Sequence, residues 1–115
     1  MLSAMKNFMA LYKMPVEGLE SWMAKPEGER KEAEALLKAE WDTWLSAHKD
    51  SVLNTVGLGM TKSVGATGVD DIKNGLMLSS YVTAESLDAA ARIFASHPHL
   101  KIPDATIEVV ETRPL

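Results

Sequence analysis

The alternation of side chains along the chain predicts four main β-strands. They span Met5–Lys13, Ser51–Met60, Leu76–Thr83 and Thr106–Thr112. The first strand is apolar on both sides, since Phe8 and Tyr12 face one way while Met9 and Leu11 face the other. A strand with two apolar sides is typical of the middle of a sheet, so we expect Met5–Lys13 to be central and covered above and below.

Apolar residues that recur every three or four positions predict two helices. The helices cover Pro26–His48 and Ser86–Ser96. A short amphipathic segment, Glu17–Ala24, precedes the first helix. Between the two helices lies a short extended run, Met60–Val64, which is followed by a polar glycine-rich loop. The apolar stripe of the first helix contains Trp41 and Trp44. The second helix ends at His97, because a residue that precedes proline is disfavoured in helical geometry.

The order of these elements predicts one α+β domain over residues 1–115. Strand, helix, strand, strand, helix and strand match a ferredoxin-like split βαβ unit, in which two helices lie on one face of an antiparallel sheet. The other face would then expose Met9, Leu11, Met77 and Tyr81. Monomers rarely leave apolar patches above a few hundred Å² bare. We therefore expect a homodimer that forms through the sheet faces.

Composition and charge restrict the classes of partner. With 115 residues, 46% of them hydrophobic and 24% charged, the chain has the profile of a single globular domain. A net charge of -4 leaves no basic excess for nucleic acid. The absence of cysteine excludes disulfides and thiolate catalysis and fits a reducing compartment. Residues 1–8 lack the pattern of a signal peptide, and no apolar run has the roughly 20 residues of a membrane span. We therefore expect a cytoplasmic protein without a membrane partner.

His97-Pro98-His99 is the short segment best suited to catalysis or ligand binding. Imidazole titrates near neutral pH and can act as an acid, a base or a ligand, so His97 is a candidate for proton transfer. The alternative is structural, because a histidine at a helix C-terminus can cap its last carbonyl groups. A metal site built from His97, His99 and Asp104 is disfavoured, since alternate side chains of an extended segment diverge and no further ligand matches. We expect no metal and no cofactor.

Aromatic residues predict an apolar pocket for a planar or aromatic molecule. Trp41 and Trp44 share one helical face, and with Tyr12 they are candidate pocket walls. The alternative is that these residues belong to the core. Glu40 is adjacent to Trp41, and desolvation in such a pocket would make it a useful base; the alternative is a solvated position on the flank of the helix.

Several segments together resemble the YCII-related domain family. They are Met5–Tyr12, Trp41-x-x-Trp44-Leu45, Gly57-Leu58-Gly59, Ser86-Leu87-Asp88-Ala89-Ala90, His97-Pro98-His99-Leu100 and Ile107-Glu108-Val109, and their order covers nearly the whole chain. The resemblance implies a ferredoxin-like fold that pairs into a dimeric α/β barrel. It also implies small-molecule chemistry, since a few members are thought to be enzymes that use a histidine and an aspartate, one group being dehydrochlorinases of chlorinated ring-cleavage or quinol compounds.

The family's functional pair does not carry over unchanged. By position, the family's acidic residue corresponds here to His97, and its histidine in the first helix corresponds to Glu40 or Trp41. The first functional hypothesis is cofactor-free elimination, isomerisation or hydrolysis of a small planar substrate, with His97 as acid/base assisted by Glu40. The candidate substrate-binding residues are Tyr12, Trp41, Trp44 and His99. The alternative is a non-catalytic dimeric module that binds a ligand or another protein.

Overall fold

The fold is that of a computed structural model, which describes residues 5–115. Residues 1–4 lie outside the described part, and with them the first half of the segment that was examined for a signal peptide. The elements in chain order are β1 (Lys6–Lys13), α1 (Val16–Met23), α2 (Glu27–Ala47), β2 (Val52–Gly57), β3 (Thr61–Gly65), β4 (Gly68–Ile72), β5 (Leu76–Ala84), α3 (Leu87–Ile93) and β6 (Thr106–Glu111). Short 3₁₀ turns at Phe94–Ser96 and Pro98–Lys101 follow α3. The predicted strands and helices are therefore present, with ends displaced by a few residues.

Four strands form one antiparallel sheet in the order β2-β5-β1-β6. The first strand is in the interior of the sheet, as its two apolar sides predict. In the register of β1 and β5, Phe8 lies opposite Val82 and Ala10 lies opposite Ser80. The chain is therefore an α+β protein with an antiparallel sheet and three helices, and this strand order is compatible with a ferredoxin-like unit into which the β3–β4 hairpin is inserted.

One sheet face and the helices enclose the core. Phe8, Ala10 and Tyr12 are fully buried, and Trp44 from α2 and Phe94 from the end of α3 pack with them. The third helix begins where the sequence predicts, because the Ser86 hydroxyl accepts the Ala89 N–H at 3.0 Å and caps the first turn. The third helix, which leads into the turns that carry His97 and His99, therefore has a well-defined start.

A bulge in β5 changes the direction of one predicted side chain. Tyr12 pairs with Leu78 but Lys13 pairs with Leu76, so Met77 is the extra residue on its strand. Simple alternation predicted that Met77 faces the uncovered side together with Tyr81. Instead Met77 packs against the core, because the bulge interrupts the alternation.

The segment predicted as an extended run and a glycine-rich loop is a complete two-stranded hairpin. Strands β3 and β4 pair from Thr61 opposite Ile72 to Gly65 opposite Gly68, and Gly68 has a φ of +146°, which favours glycine. The second strand escaped the sequence analysis because Asp70 and Asp71 interrupt its apolar pattern. Every residue from Lys62 to Ile72 is exposed. Neither face of the hairpin is buried, so its sequence lacks the alternation of apolar and polar residues by which a half-buried strand is recognised.

The sheet face opposite the core remains partly open. Val56, Tyr81 and Val110 are exposed there, and Met9 and Leu11 are half-buried. The homodimer and the barrel stay predictions, since the structure is that of a single chain. Among the helices of residues 5–115, none has the length and the apolar character needed to cross a membrane.

Candidate functional site

Five of the six predicted site residues form one cluster of rings. The His97 ring centre lies 4.3 Å from that of Trp41, 4.4 Å from that of Trp44 and 5.1 Å from that of Tyr12. His99 joins the cluster through Tyr12, at 5.7 Å between ring centres. Both histidines are almost completely buried. The sequence therefore identified residues that meet in space, although they come from β1, α2 and the turn after α3.

His97 is held by a hydrogen bond within its own turn. Its Nδ1 accepts the backbone N–H of His99 at 2.9 Å, which caps the 3₁₀ turn that begins at Pro98. In the neutral ring the proton is therefore on Nε2, and this atom has no hydrogen-bond partner within residues 5–115. Burial lowers the pKa of His97 to about 4, with smaller contributions from the nearby His99 and His48. At neutral pH His97 is an uncharged ring whose only lone pair on nitrogen is already used.

His99 has the opposite arrangement of free and bonded nitrogens. Its Nε2 lies 2.9 Å from the Lys13 carbonyl oxygen and donates to it, so the neutral ring carries its proton there and leaves a lone pair on Nδ1. Burial lowers the pKa of His99, while hydrogen bonding to the backbone of Lys13 and Thr106 acts in the other direction. In this tautomer the basic nitrogen of His99 is Nδ1, which, unlike Nδ1 of His97, accepts no hydrogen bond from another group of residues 5–115.

Tyr12 anchors the cluster to the sheet. Its hydroxyl lies 2.8 Å from the Ser80 Oγ, which in turn lies 2.7 Å from the Thr55 Oγ1, so three strands are connected by hydroxyl groups. Burial raises the pKa of Tyr12, and the hydrogen bonds to Ser80 and Thr55 oppose that shift only in part. The phenol is consequently protonated at neutral pH and acts as a fixed support.

A cavity of about 730 Å³ adjoins this cluster, between the helices and the end of the sheet. Its volume is within the range of sites for small organic molecules. The apolar lining of the cavity includes Trp22, Leu37, Trp41, Met77, Leu78 and Ile102. Charged side chains of both signs also contribute to the wall, among them Lys25, Lys101, Glu34 and Asp42. Apolar surface with a few polar groups is the usual composition of a pocket for a planar ligand.

The cavity separates the predicted substrate-binding residues into two groups. Trp41 and His99 line it, whereas Tyr12 and Trp44 pack behind them in the core. His97 also does not belong to the wall, because Trp41 covers it edge to face. Contact with a ligand in this cavity would therefore be made by Trp41 and His99, and the other three rings would hold these two in place.

Glu40 is on the same helix as the tryptophans but on a different side. Its carboxylate accepts a hydrogen bond from the Lys101 ammonium at 2.5 Å, and the pair is partly exposed. Lys101 is a lining residue of the cavity and Glu40 is not. The structure therefore places Glu40 where it orients Lys101, and no contact joins it to His97 among the hydrogen bonds of residues 5–115.

Sequence reasoning missed most of the wall, including Trp22, Lys25 and Met77. Trp22 and Lys25 come from α1 and the turn after it, with the Lys25 Nζ lying 5.1 Å from the centre of the Trp22 ring. Met77 is the bulge residue of β5. The amphipathic pattern of Glu17–Ala24 was visible, but it does not reveal which part of the molecule its apolar side meets.

The described residues contain no group of three histidine, aspartate or glutamate side chains that would suit a metal ion. His97 and His99 are neighbours, but their ring centres are 6.4 Å apart and each ring has a nitrogen in a backbone hydrogen bond. Asp104 forms no part of this cluster. The chemistry available in the cluster is therefore that of a neutral imidazole beside aromatic walls.

The chain resembles solved structures in its fold, although comparisons of its sequence find no match. No family model matches the chain, and no curated protein matches it in sequence. Among solved structures, the chain is similar to a 5-chloro-2-hydroxyhydroquinone dehydrochlorinase of Burkholderia phenoliruptrix, in complex with 2,5-dihydroxybenzoquinone, with a TM-score of 0.52 and 18% sequence identity. The similarity covers 93% of each chain. It supports the α+β fold.

Proposed function

We propose that this protein binds a small planar, hydroxylated ring compound in the cavity beside Trp41 and carries out cofactor-free proton-transfer chemistry on it. The observation that carries the proposal is the wall itself, where the aromatic side chain of Trp41 and the imidazole of His99 line the same 730 Å³ space. A planar ring packs well on a tryptophan face, and a ring hydroxyl is a natural donor to an imidazole lone pair.

His99 is the proton acceptor in this proposal. Because its pKa is lowered, the ring is neutral at neutral pH and can take a proton from a substrate hydroxyl. The proton moves to Nδ1 and the substrate becomes an anion, from which an elimination, isomerisation or hydrolysis can proceed. Lys25 at the wall provides positive charge that stabilises such an anion, whereas the charge of Lys101 is already balanced by Glu40. The fold shared with a dehydrochlorinase of a hydroxylated ring supports this substrate class.

The sequence-based hypothesis gave proton transfer to His97 with the help of Glu40, and that assignment stays a prediction. In the present proposal both residues position others. His97 holds the backbone of His99 through its Nδ1, and Glu40 holds Lys101. A conservative replacement of His97 that keeps the acceptor, such as His97→Asn, is then expected to retain most activity.

The alternative function is a binding module without catalysis. One observation favours it: the predicted catalytic pair is already engaged, His97 with a backbone N–H and Glu40 with Lys101. A binding module would take up the same planar compounds and release them unchanged. The cavity and its aromatic wall serve both functions, so turnover is the measurement that separates them.

Calorimetric titration with 2,5-dihydroxybenzoquinone tests the binding part of the proposal. We expect saturable binding that His99→Gln weakens about tenfold, the value of one hydrogen bond to a charged or strongly polar group. The matched control is His48→Gln, because His48 stacks on Trp44 and does not line the cavity. Absence of binding, or equal weakening by both variants, would contradict the proposed site.

Release of chloride from a chlorinated hydroxyhydroquinone tests the catalytic part. We expect His99→Gln to lower kcat at least about a hundredfold, as loss of a general base typically does, and His97→Asn to stay within about tenfold of the unmodified protein. The reverse order would assign proton transfer to His97, as the sequence-based hypothesis does. Binding without any chloride release by the unmodified protein would support the binding module.

A further inference from the structure

The β3–β4 hairpin stands apart from the rest of the molecule. Its strands pair with each other and join neither the four-stranded sheet nor the core. Val64 and Val69 lie directly opposite each other across the hairpin, and 79% and 59% of their surfaces are exposed. An isolated two-stranded hairpin is at best marginally stable in water. We therefore expect another surface to cover this exposed pair of β-branched side chains.

The dimensions of the chain show that uncovered surface is unusually abundant. Its accessible surface is 8271 Å², whereas a globular monomer of 12.6 kDa has about 6,200 Å². Its radius of gyration is 16.2 Å, against about 13 Å for a compact chain of this length. The excess of about 2,000 Å² belongs to the chain as a whole, the open sheet face included, and is more than the roughly 800 Å² that each partner contributes to a stable protein interface.

One face of the hairpin is suited to meet a copy of itself. Cross-strand partners share a face, so Lys62, Val64, Val69 and Asp71 lie together and form what is called here the valine face. Its charges cancel, because the Lys62 ammonium lies 2.6 Å from the Asp71 carboxylate. The opposite face carries the unpaired charge of Asp70, opposite Ser63. In a two-fold interface the same patch occurs on both partners, so a neutral patch with an apolar centre avoids repulsion.

We propose that the valine face is an arm that packs against a second copy of this chain. A second copy is the occupant that the surface itself favours, since the neutral patch does not repel its own copy across a two-fold axis and the uncovered area of the whole chain is sufficient for a specific dimer. The arm adds to any contact through the open sheet face, because the hairpin is a separate two-stranded sheet.

Two neighbouring residues provide a matched test in solution. Val64 and Ser63 are adjacent in β3 and point to opposite faces, so Val64→Lys and Ser63→Lys add the same charge to the valine face and to its reverse. By light scattering from 1 to 100 µM, about the range that separates weak from stable dimers, we expect a dimer for the unmodified chain. Val64→Lys should weaken dimerisation about a hundredfold and Ser63→Lys less than about threefold.

A monomeric unmodified chain at the highest concentration would overturn the proposal, as would equal effects of the two lysine variants. Circular dichroism confirms that each variant is folded. If Val64→Lys fails to fold, thiol labelling replaces it, because the chain has no cysteine of its own. The thiol introduced by Val64→Cys should react with maleimide at least about tenfold more slowly above the dimer dissociation constant than below it. The thiol introduced by Ser63→Cys should react equally fast in both, and equal protection at the two positions contradicts the proposal.

Discussion

Val82 and Val64 are both valines in antiparallel strands, yet they have opposite surroundings. Val82 in β5 is 1% exposed, beneath the helices, whereas Val64 in the hairpin is 79% exposed. The sequence around each predicts extended structure, and both segments are extended. The difference shows that strand propensity determines local geometry, whereas stability comes from what packs on the strand. Substitutions in the covered sheet should therefore cost far more free energy of unfolding than substitutions in the hairpin.

The largest effect is expected for Phe8→Ala. Phe8 is completely buried in the core between β1 and the helices, so its removal leaves a large cavity. We expect the free energy of unfolding to fall by about 3–5 kcal/mol, a large fraction of the stability of a small domain. Urea denaturation followed by circular dichroism measures it. A loss below about 1 kcal/mol would mean that the covered face is not the stabilising part of the molecule.

Acid should destabilise the ring cluster through His97. The folded chain keeps His97 neutral with a pKa of about 4, whereas the unfolded chain takes up a proton near 6.5. Its contribution is therefore present in full above pH 6.5 and is lost as pH falls towards 4, by about 3 kcal/mol. Urea denaturation at pH 7, 6, 5 and 4 measures the loss. In His97→Asn, which cannot titrate, the dependence on pH should be markedly weaker; an identical dependence would exclude His97 as its source.

A smaller effect is expected for Tyr12→Phe, which keeps the buried ring and removes the hydroxyl. The lost contact is the 2.8 Å hydrogen bond to Ser80, whose hydroxyl retains Thr55 as a partner. We expect a loss of about 1 kcal/mol, as for a single buried hydrogen bond. Chemical denaturation of the variant measures it. A loss as large as that of Phe8→Ala would show that the hydroxyl network, and not ring packing, holds β1 in place.

The smallest effect is expected for Lys62→Ala in the hairpin. It removes an ion pair with Asp71 in which both side chains are largely exposed to solvent. Such pairs contribute well under about 1 kcal/mol, and salt screens them further. Thermal unfolding at low and high salt measures the change. A shift comparable to that of Tyr12→Phe would indicate that the hairpin is covered in solution and that its ion pair is desolvated.

The sequence predicted the main elements because their signals are local. Ser86 caps α3, Pro26 precedes α2, and the two apolar sides of β1 reflect its place inside the sheet. The hairpin was only half visible, because strand β4 carries Asp70 and Asp71 and has no buried side. The predicted direction of Met77 was wrong for a different reason: a bulge moves one residue out of register without any mark in the sequence.

The sequence by itself predicted that Tyr12, Trp41, Trp44, His97 and His99 belong to one site, and the rings do form one cluster. Only the tertiary structure decided that Trp41 and His99 meet the cavity while the other three support them. The physical reason is distance along the chain. A cap, a helix stripe or a proline acts within a few residues, whereas a cavity is bounded by segments as remote as Trp22 and Ile102, and their meeting depends on how whole elements pack.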